Sequence, residues 1–343
     1  MSKRSKKNKS DKPVVDRPIP KLGFGPMSSE CIHAIYEASH QYKTPLMLIA
    51  SRNQVDTEDG YVMTTAQLRN WVIQYRSIYP DADVWVCRDH LGINFKDGED
   101  SWDKVNTTLV GDLRHKFDII HLDFSRMDNA TALAIVDACD CTFTNIGAQA
   151  QIEVGLTEIG CPTHQDISDL IDIVRNLVFT PLFISTRTGI RTQDATNIGE
   201  ADFEHIARIK YILSSKGIRL KEHNADFLSS DSLSRRKNYV DALNIAPQLG
   251  TVQTSTIKHY ANMYGLTKEW GEFERIVVNG NKWQKWISTS GSKDLACMIA
   301  GHYHFRHETY LSLVDDINRY VNLNADIIDN IKAVICHYIK WFV

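Results

Sequence analysis

Eight short apolar runs recur along this chain. Each breaks off into polar residues, and each is followed by a stretch with helical periodicity. The predicted strands are residues 21–27, 45–50, 84–88, 118–123, 150–156, 181–186, 218–224 and 242–247. A continuous apolar run is how a strand covered on both faces reads, and parallel strands joined by helices are covered in that way. Eight strand–helix units within about 245 residues match the length and rhythm of an α/β fold of one kind, a (β/α)8 TIM barrel. A doubly wound open sheet has the same local pattern, but the glycine fingerprint of a dinucleotide fold is missing after the first strand.

Thr64 and Thr65 can cap one of the connecting helices, with Leu68, Trp71, Val72, Tyr75 and Ile78 forming its apolar face. The helix over 252–264 would close the cycle. Three regions follow: a disordered basic tail at 1–18, the barrel at 19–264, and an aromatic-rich helical extension at 265–343. Leu311, Val314, Ile317 and Val321 mark a helix face in that extension, which is expected to cover barrel surface and to contribute to an oligomer interface.

Composition excludes several classes. A net charge of -3 on 343 residues carries no nucleic-acid or membrane signature, and no apolar run approaches the roughly 18 residues of a membrane span. The basic start lacks the apolar core of a signal peptide. Seven cysteines scattered through a long chain point to reduced thiols and a cytoplasmic location rather than a disulfide framework.

The chemistry should sit where the strands end, because the C-terminal ends of barrel strands meet around one mouth. This gathers Asn53 and Gln54, Asp89 and His90, His121 and Asp123, Glu153, Arg187, and Glu222, His223 and Asp226. Adjacent Asp and His can supply a proton-transfer group and a metal ligand. Imidazoles and carboxylates on one rim are a ligand inventory for a divalent metal, and a catalytic zinc takes about three protein ligands and one open position. Barrels often hold phosphate with backbone N–H groups after the last two strands. The candidates here are Ser229, Ser230, Gly250 and Thr251, with Arg187 as a charged clamp; turn and capping chemistry would account for the four small residues equally well.

Five short motifs carry a family resemblance: Ser51-Arg52-Asn53-Gln54-Val55, Gly60-Tyr61, Asp89-His90-Leu91-Gly92, His121-Leu122-Asp123 and Glu222-His223-Asn224-Ala225-Asp226. In this order, over about residues 22–260, the chain resembles the tagatose-bisphosphate aldolase accessory-subunit family, whose fold is the barrel of class II, metal-dependent aldolases. The resemblance implies a sugar-phosphate substrate and a divalent metal, zinc by expectation. Asp89 is the implied proton-transfer acid, and His90 and His223 are the implied metal ligands. A third donor would be Glu153 or, after it, His121. Glu153 and Asp226 join Asp89 as candidate catalytic carboxylates, and Asn53, Gln54, Arg187, Ser229, Gly250 and Thr251 are the candidate substrate contacts. Catalytic class II aldolases have a further ligand histidine after the sixth strand, where this chain reads Thr186-Arg187-Thr188-Gly189. Three functions are therefore carried forward. One is a C–C lyase acting alone or with a catalytic partner subunit. The second is a non-catalytic subunit stabilising such a lyase. The third is a metal-dependent epimerase or isomerase, since the same charge stabilisation serves proton shuttling.

Overall fold

The expected alternation is realised as a closed parallel barrel. The computed structural model describes residues 17–96, 100–126, 129–147, 149–156, 163–176, 179–287 and 292–343, so most of the expected basic tail lies outside the described residues. The chain begins with β1 (Leu22–Phe24), α1 (Ser29–Tyr42) and β2 (Leu46–Ser51). A small two-stranded ladder, β3 (Val55–Asp56) and β4 (Met63–Thr64), precedes α2 (Thr65–Ile78). Then come β5 (Val84–Leu91), α3 (Trp102–Arg114), β6 (Ile119–Asp123), α4 (Asn129–Ile146), β7 (Gln151–Gly155), α5 (His164–Asn176) and β8 (Phe183–Ser185). A hairpin of β9 (Ile190–Gln193) and β10 (Thr196–Gly199) leads to α6 (Phe203–Ser214), β11 (Arg219–Glu222), α7 (Ser230–Arg236), β12 (Ala242–Ile245) and α8 (Pro247–Met263). The barrel closes in the order β1-β12-β11-β8-β7-β6-β5-β2.

Side chains alternate across a strand, and here the alternation separates two layers. Leu46, Leu48, Ala50, Val84 and Val86 pack outward under the helices. Met47, Ile49, Trp85, Cys87, Ile119, Phe183 and Ala242 form a second cluster that plugs the barrel interior. Continuing the same parity toward the C-terminal ends sets Asp89, His121, Glu153, Ser185, Lys221 and Asn244 above that plug, all of them buried. The opposite parity sends Arg88 and Glu222 outward, where each meets a buried partner on a helix. Arg88 Nε lies 2.7 Å from Asp112 of α3, and Arg236 Nε of α7 lies 2.8 Å from Glu222.

The extension consists of α9 (Thr267–Asn279), α10 (Lys293–Ala300), α11 (Glu308–Asn318) and α12 (Leu323–Phe342), with 3-10 turns at Lys282–Lys285 and Gly301–His304. As expected, it covers the barrel: α12 packs on α1, α7 and α8, and α9 and α10 pack on α8. Tyr338 of α12 is fully buried, and its hydroxyl donates to Ala225 O at 2.7 Å. Among the described residues no helix is long and apolar enough to cross a membrane.

Three local expectations need correction. In α2 the buried face is Leu68, Val72 and Tyr75, whereas Ile78 is exposed at the last turn. In α11 the buried residues are Tyr310, Leu313 and Ile317, and Leu311 faces out. The i, i+3, i+7 stripe is there, but docking against Phe273 and Phe305 chose a phase starting one residue earlier. Finally, α8 begins at Pro247, because proline at the first helical position forfeits only an N–H that has no intrahelical partner.

Candidate functional site

At the C-terminal mouth of the barrel, Asp89, His90, His121 and His223 each offer a ligand atom, and these atoms all lie within 4.8 Å of one another. The three rings form a triangle with centroids 5.1, 5.3 and 5.0 Å apart. Strand parity explains Asp89 and His121. It would send His90 outward with Arg88. The pairing of β5 with β6 instead shifts register between Arg88 and Leu91, and His90 takes a left-handed φ of 48°. A non-glycine residue held in that conformation carries a cost on the order of 1–3 kcal/mol. The bulge thereby re-aims one side chain into the mouth.

Buried carboxylates hold two of the rings. His90 Nδ1 lies 2.6 Å from Asp123 Oδ2, and the ring stacks on Phe95 at 5.4 Å. His223 Nε2 lies 2.9 Å from Glu153 Oε1, and the other oxygen of Glu153 accepts from Lys221 Nζ at 2.6 Å. A ring nitrogen held by a carboxylate is the support that metal-binding imidazoles characteristically have. His121 Nδ1 sits 3.3 Å from Asp89 Oδ1 and 3.2 Å from the His90 amide nitrogen. Asn244 Nδ2 bridges His223 Nε2 at 3.0 Å and Asp89 Oδ1 at 3.4 Å, while its buried Oδ1 has no hydrogen-bond partner among the described residues.

The electrostatics follow from these neighbours. Burial pushes the Asp89 carboxyl up, but His90, His121 and His223 outweigh it and hold the group well below the usual carboxylate range. Burial likewise opposes ionisation of Glu153, and the Lys221 ammonium with the two nearby imidazoles overcomes it. Asp226 behaves oppositely: burial raises it to about 6, against the hydrogen bonds it accepts from the N–H groups of Gln248 and Ala246. Those N–H groups, at 2.9 and 3.0 Å from Oδ1, belong to the start of α8, so Asp226 caps that helix from the preceding loop.

A cavity of about 430 Å³ opens above this cluster. It is lined by Asn53, Gln54, Asp89, His90, Asp123, His223 and Asp226 from the predicted set. His121 and Glu153 lie beneath, in the polar layer of the barrel. Of the two proposed third donors, His121 stands in the donor group, and Glu153 stands behind His223 in its ion pair with Lys221. Arg187, Ser229, Gly250 and Thr251 are not among the described lining residues. Arg187 faces Asp166 at 3.6 Å, and Ser229 caps α7. Thr251 Oγ donates back to Pro247 O at 3.1 Å within α8, and Gly250 packs so closely on His302 that a Cβ would lie 2.7 Å from it.

Sequence reasoning did not anticipate Phe95, Arg126, Lys285, Trp286, His302 and Tyr303, which complete the wall. The last four come from the extension. Their only signal in the sequence was an aromatic content beyond what a closed barrel needs.

No family model matches the chain, and no curated protein matches it. Solved structures do. A "probable tagatose 6 phosphate kinase" from Sinorhizobium meliloti 1021 superposes with a TM-score of 0.77 at 15% identity, over 94% of this chain and 100% of that one. The fructuronate-tagaturonate epimerase UxaE from Cohnella laeviribosi gives 0.60 at 10% identity, over 94% and 81%. The fructose-bisphosphate aldolase from Campylobacter jejuni gives 0.58 at 11%, over 93% and 90%. At such identities the likeness is one of fold, and it agrees with the barrel that the motifs implied.

Proposed function

We propose that the chain is a class II aldolase-type barrel that works on the carbonyl end of a ketose or ketose phosphate with the help of a divalent cation. One observation carries this reading: three imidazoles and a carboxylate converge at the strand ends, two of the rings being backed by buried carboxylates. The donor set fits such an ion, since imidazole nitrogens with a carboxylate oxygen suit zinc and its first-row neighbours. His90, His121 and His223 would hold it, with Asp89 beside them.

When bound, the cation would polarise the substrate carbonyl and spread the charge that develops as the adjacent C–C bond breaks or forms. The protein's own groups do the rest. Asp123 and Glu153 fix the orientations of His90 and His223. Asp89 lies beside the imidazoles at the mouth, where it can exchange a proton with a substrate hydroxyl. Asn53 and Gln54 also line the cavity, where Asn53 Nδ2 donates to Phe95 O at 3.1 Å, Gln54 Oε1 accepts from Ser51 N at 2.8 Å and Gln54 Nε2 lies 3.5 Å from Met27 Sδ. Glu153 and Asp226 are positioning carboxylates in this reading. The first is committed to Lys221 and His223 and the second to α8. All six described cysteines are free thiols, in keeping with a reducing, cytoplasmic setting.

A second reading has its own observation. The sixth barrel strand, β8, ends without an imidazole, and the β9–β10 hairpin follows it. A barrel that lacks that ligand could serve as the non-catalytic partner of an aldolase subunit. Metal analysis of the purified protein and of His223→Ala separates the two. The first reading expects stoichiometric Zn²⁺ or Mn²⁺ in the wild type, its loss in the variant with the fold intact, and cleavage products from ketose phosphates. Epimerised ketose in place of cleavage products would move the assignment to an epimerase. A wild-type protein that takes up no metal refutes both enzymatic versions and leaves the partner-subunit reading.

A further inference from the structure

We propose that Lys285, brought to the barrel mouth by the extension, and Arg126, on the loop after β6, form a subsite for an anionic group, phosphate or carboxylate, at the far end of the substrate. The proposal rests on the reading of the cavity as a sugar site. Lys285 ends the 3-10 turn Lys282–Lys285, which is fastened to the mouth on two sides. On one, Asp194 N–H of the turn between β9 and β10 donates to Trp286 O at 2.8 Å, and that hairpin is itself held by Asn197 Nδ2 donating to Asn224 O and Asp226 O. On the other, Trp286 Nε1 donates to Tyr303 OH at 3.3 Å, and Tyr303 packs on Tyr61 at 4.8 Å.

The two cations are set by aromatic faces. Lys285 Nζ lies 4.8 Å from the Trp286 ring centroid and 5.0 Å from that of Tyr303, and the Arg126 guanidinium lies 4.3 Å from that of Phe95. Cation–π contacts, joined for Arg126 by a hydrogen bond from Nη1 to Asn94 O, hold each cation while leaving further donors for a ligand. Neither has a carboxylate partner among the described residues, and they are the only Lys or Arg among the described residues of the lining. The carboxylates of Asp89, Asp123 and Asp226 belong to the same cavity. An anionic substrate group is repelled from them and attracted to the cations, which orients the substrate with its carbonyl end toward the imidazoles.

The test is calorimetric binding of fructose, fructose 6-phosphate and fructuronate to the full-length protein and to Lys285→Gln, Lys285→Arg and Arg126→Gln. We expect the wild type to bind at least one of the two anionic sugars at least tenfold more tightly than fructose. Lys285→Gln should remove most of that margin and leave fructose binding unchanged, Arg126→Gln should reduce it, and Lys285→Arg should retain it. Which anionic sugar carries the margin tells phosphate from carboxylate. No anion preference in the wild type, or equal weakening of fructose by Lys285→Gln, overturns the subsite. The readout needs neither metal nor turnover. A margin that depends on Lys285 in a protein without metal sinks the aldolase reading and keeps the subsite, and metal with cleavage but no margin does the reverse.

Discussion

Gly155, the last residue of β7, offers the sharpest test of the imidazole cluster. A Cβ built there would lie 2.2 Å from His121 Nε2 and 3.2 Å from Asp123 Cγ. To restore ordinary contact the ring must retreat by roughly 1.2 Å. It has no solvent-filled space to retreat into, because His121 is fully buried between Asp89 and Ser185. Overpacking of this kind costs about 1–3 kcal/mol. The effect on metal should be larger in proportion, since metal–nitrogen distances tolerate only about 0.2 Å and the displacement is several times that. Even lesions one step behind a ligand cost about 10–100-fold in affinity, so losing the alignment of a donor should cost about 100-fold. Gly155→Ala is therefore expected to lower urea stability by about 1–3 kcal/mol and zinc affinity, read by chelator competition, by about 100-fold. Gly271→Ala is the matched control. Its Cβ meets nothing within 4 Å among the described residues, it lies exposed within α9, and the same substitution there should stabilise by about 0.5–1 kcal/mol with no change in zinc binding. A Gly155→Ala protein that binds zinc as the wild type does would show that His121 is not part of the donor set.

Two further substitutions test the supporting structure. Asp226 has a native pKa raised to about 6 from an ordinary 3.8, so between those values the folded protein holds a proton that the unfolded chain releases. Stability should therefore fall as pH rises through that window, by about 3 kcal/mol in all. Asp226→Asn keeps an acceptor for the N–H groups of α8 and should flatten this slope; identical urea-midpoint slopes for wild type and variant between pH 4 and 7 would contradict it. Arg88 is fully buried, and besides Asp112 it donates to the carbonyls of Ala50 and Val55 at 2.9 and 2.6 Å. Arg88→Met strands the Asp112 carboxylate and should cost about 3–5 kcal/mol in urea unfolding, whereas Arg88→Met with Asp112→Leu should recover much of it; a single variant no worse than the double would refute the pairing.

The barrel was legible in the sequence because its code is local. A strand covered on both faces must be apolar along its length, and its end must turn polar where it meets solvent. The eight runs state this without reference to one another, and that logic located Asp89, His90 and His223. The supporting partners were not legible. Glu153 reads as a lone acid in a weak strand, yet its ion pair joins β7 to a lysine of β11 across β8, and only barrel closure brings them within 2.6 Å. His90 was expected at the mouth, but parity alone faces it away, and the bulge that recovers it is a property of how β5 pairs with β6. The anion-binding residues expected after the last two strands turned out to cap or build helices. The mouth takes its cations instead from the loop after β6 and from a turn more than 150 residues later. The amino-acid sequence by itself determined which residues could be strands, helices and strand ends, since those depend on neighbours a few positions away. Which of the polar ends face one another, and which distant segment walls them in, was decided only by the closed tertiary structure, because ion-pair and ring contacts act over a few ångströms of space whatever the separation along the chain.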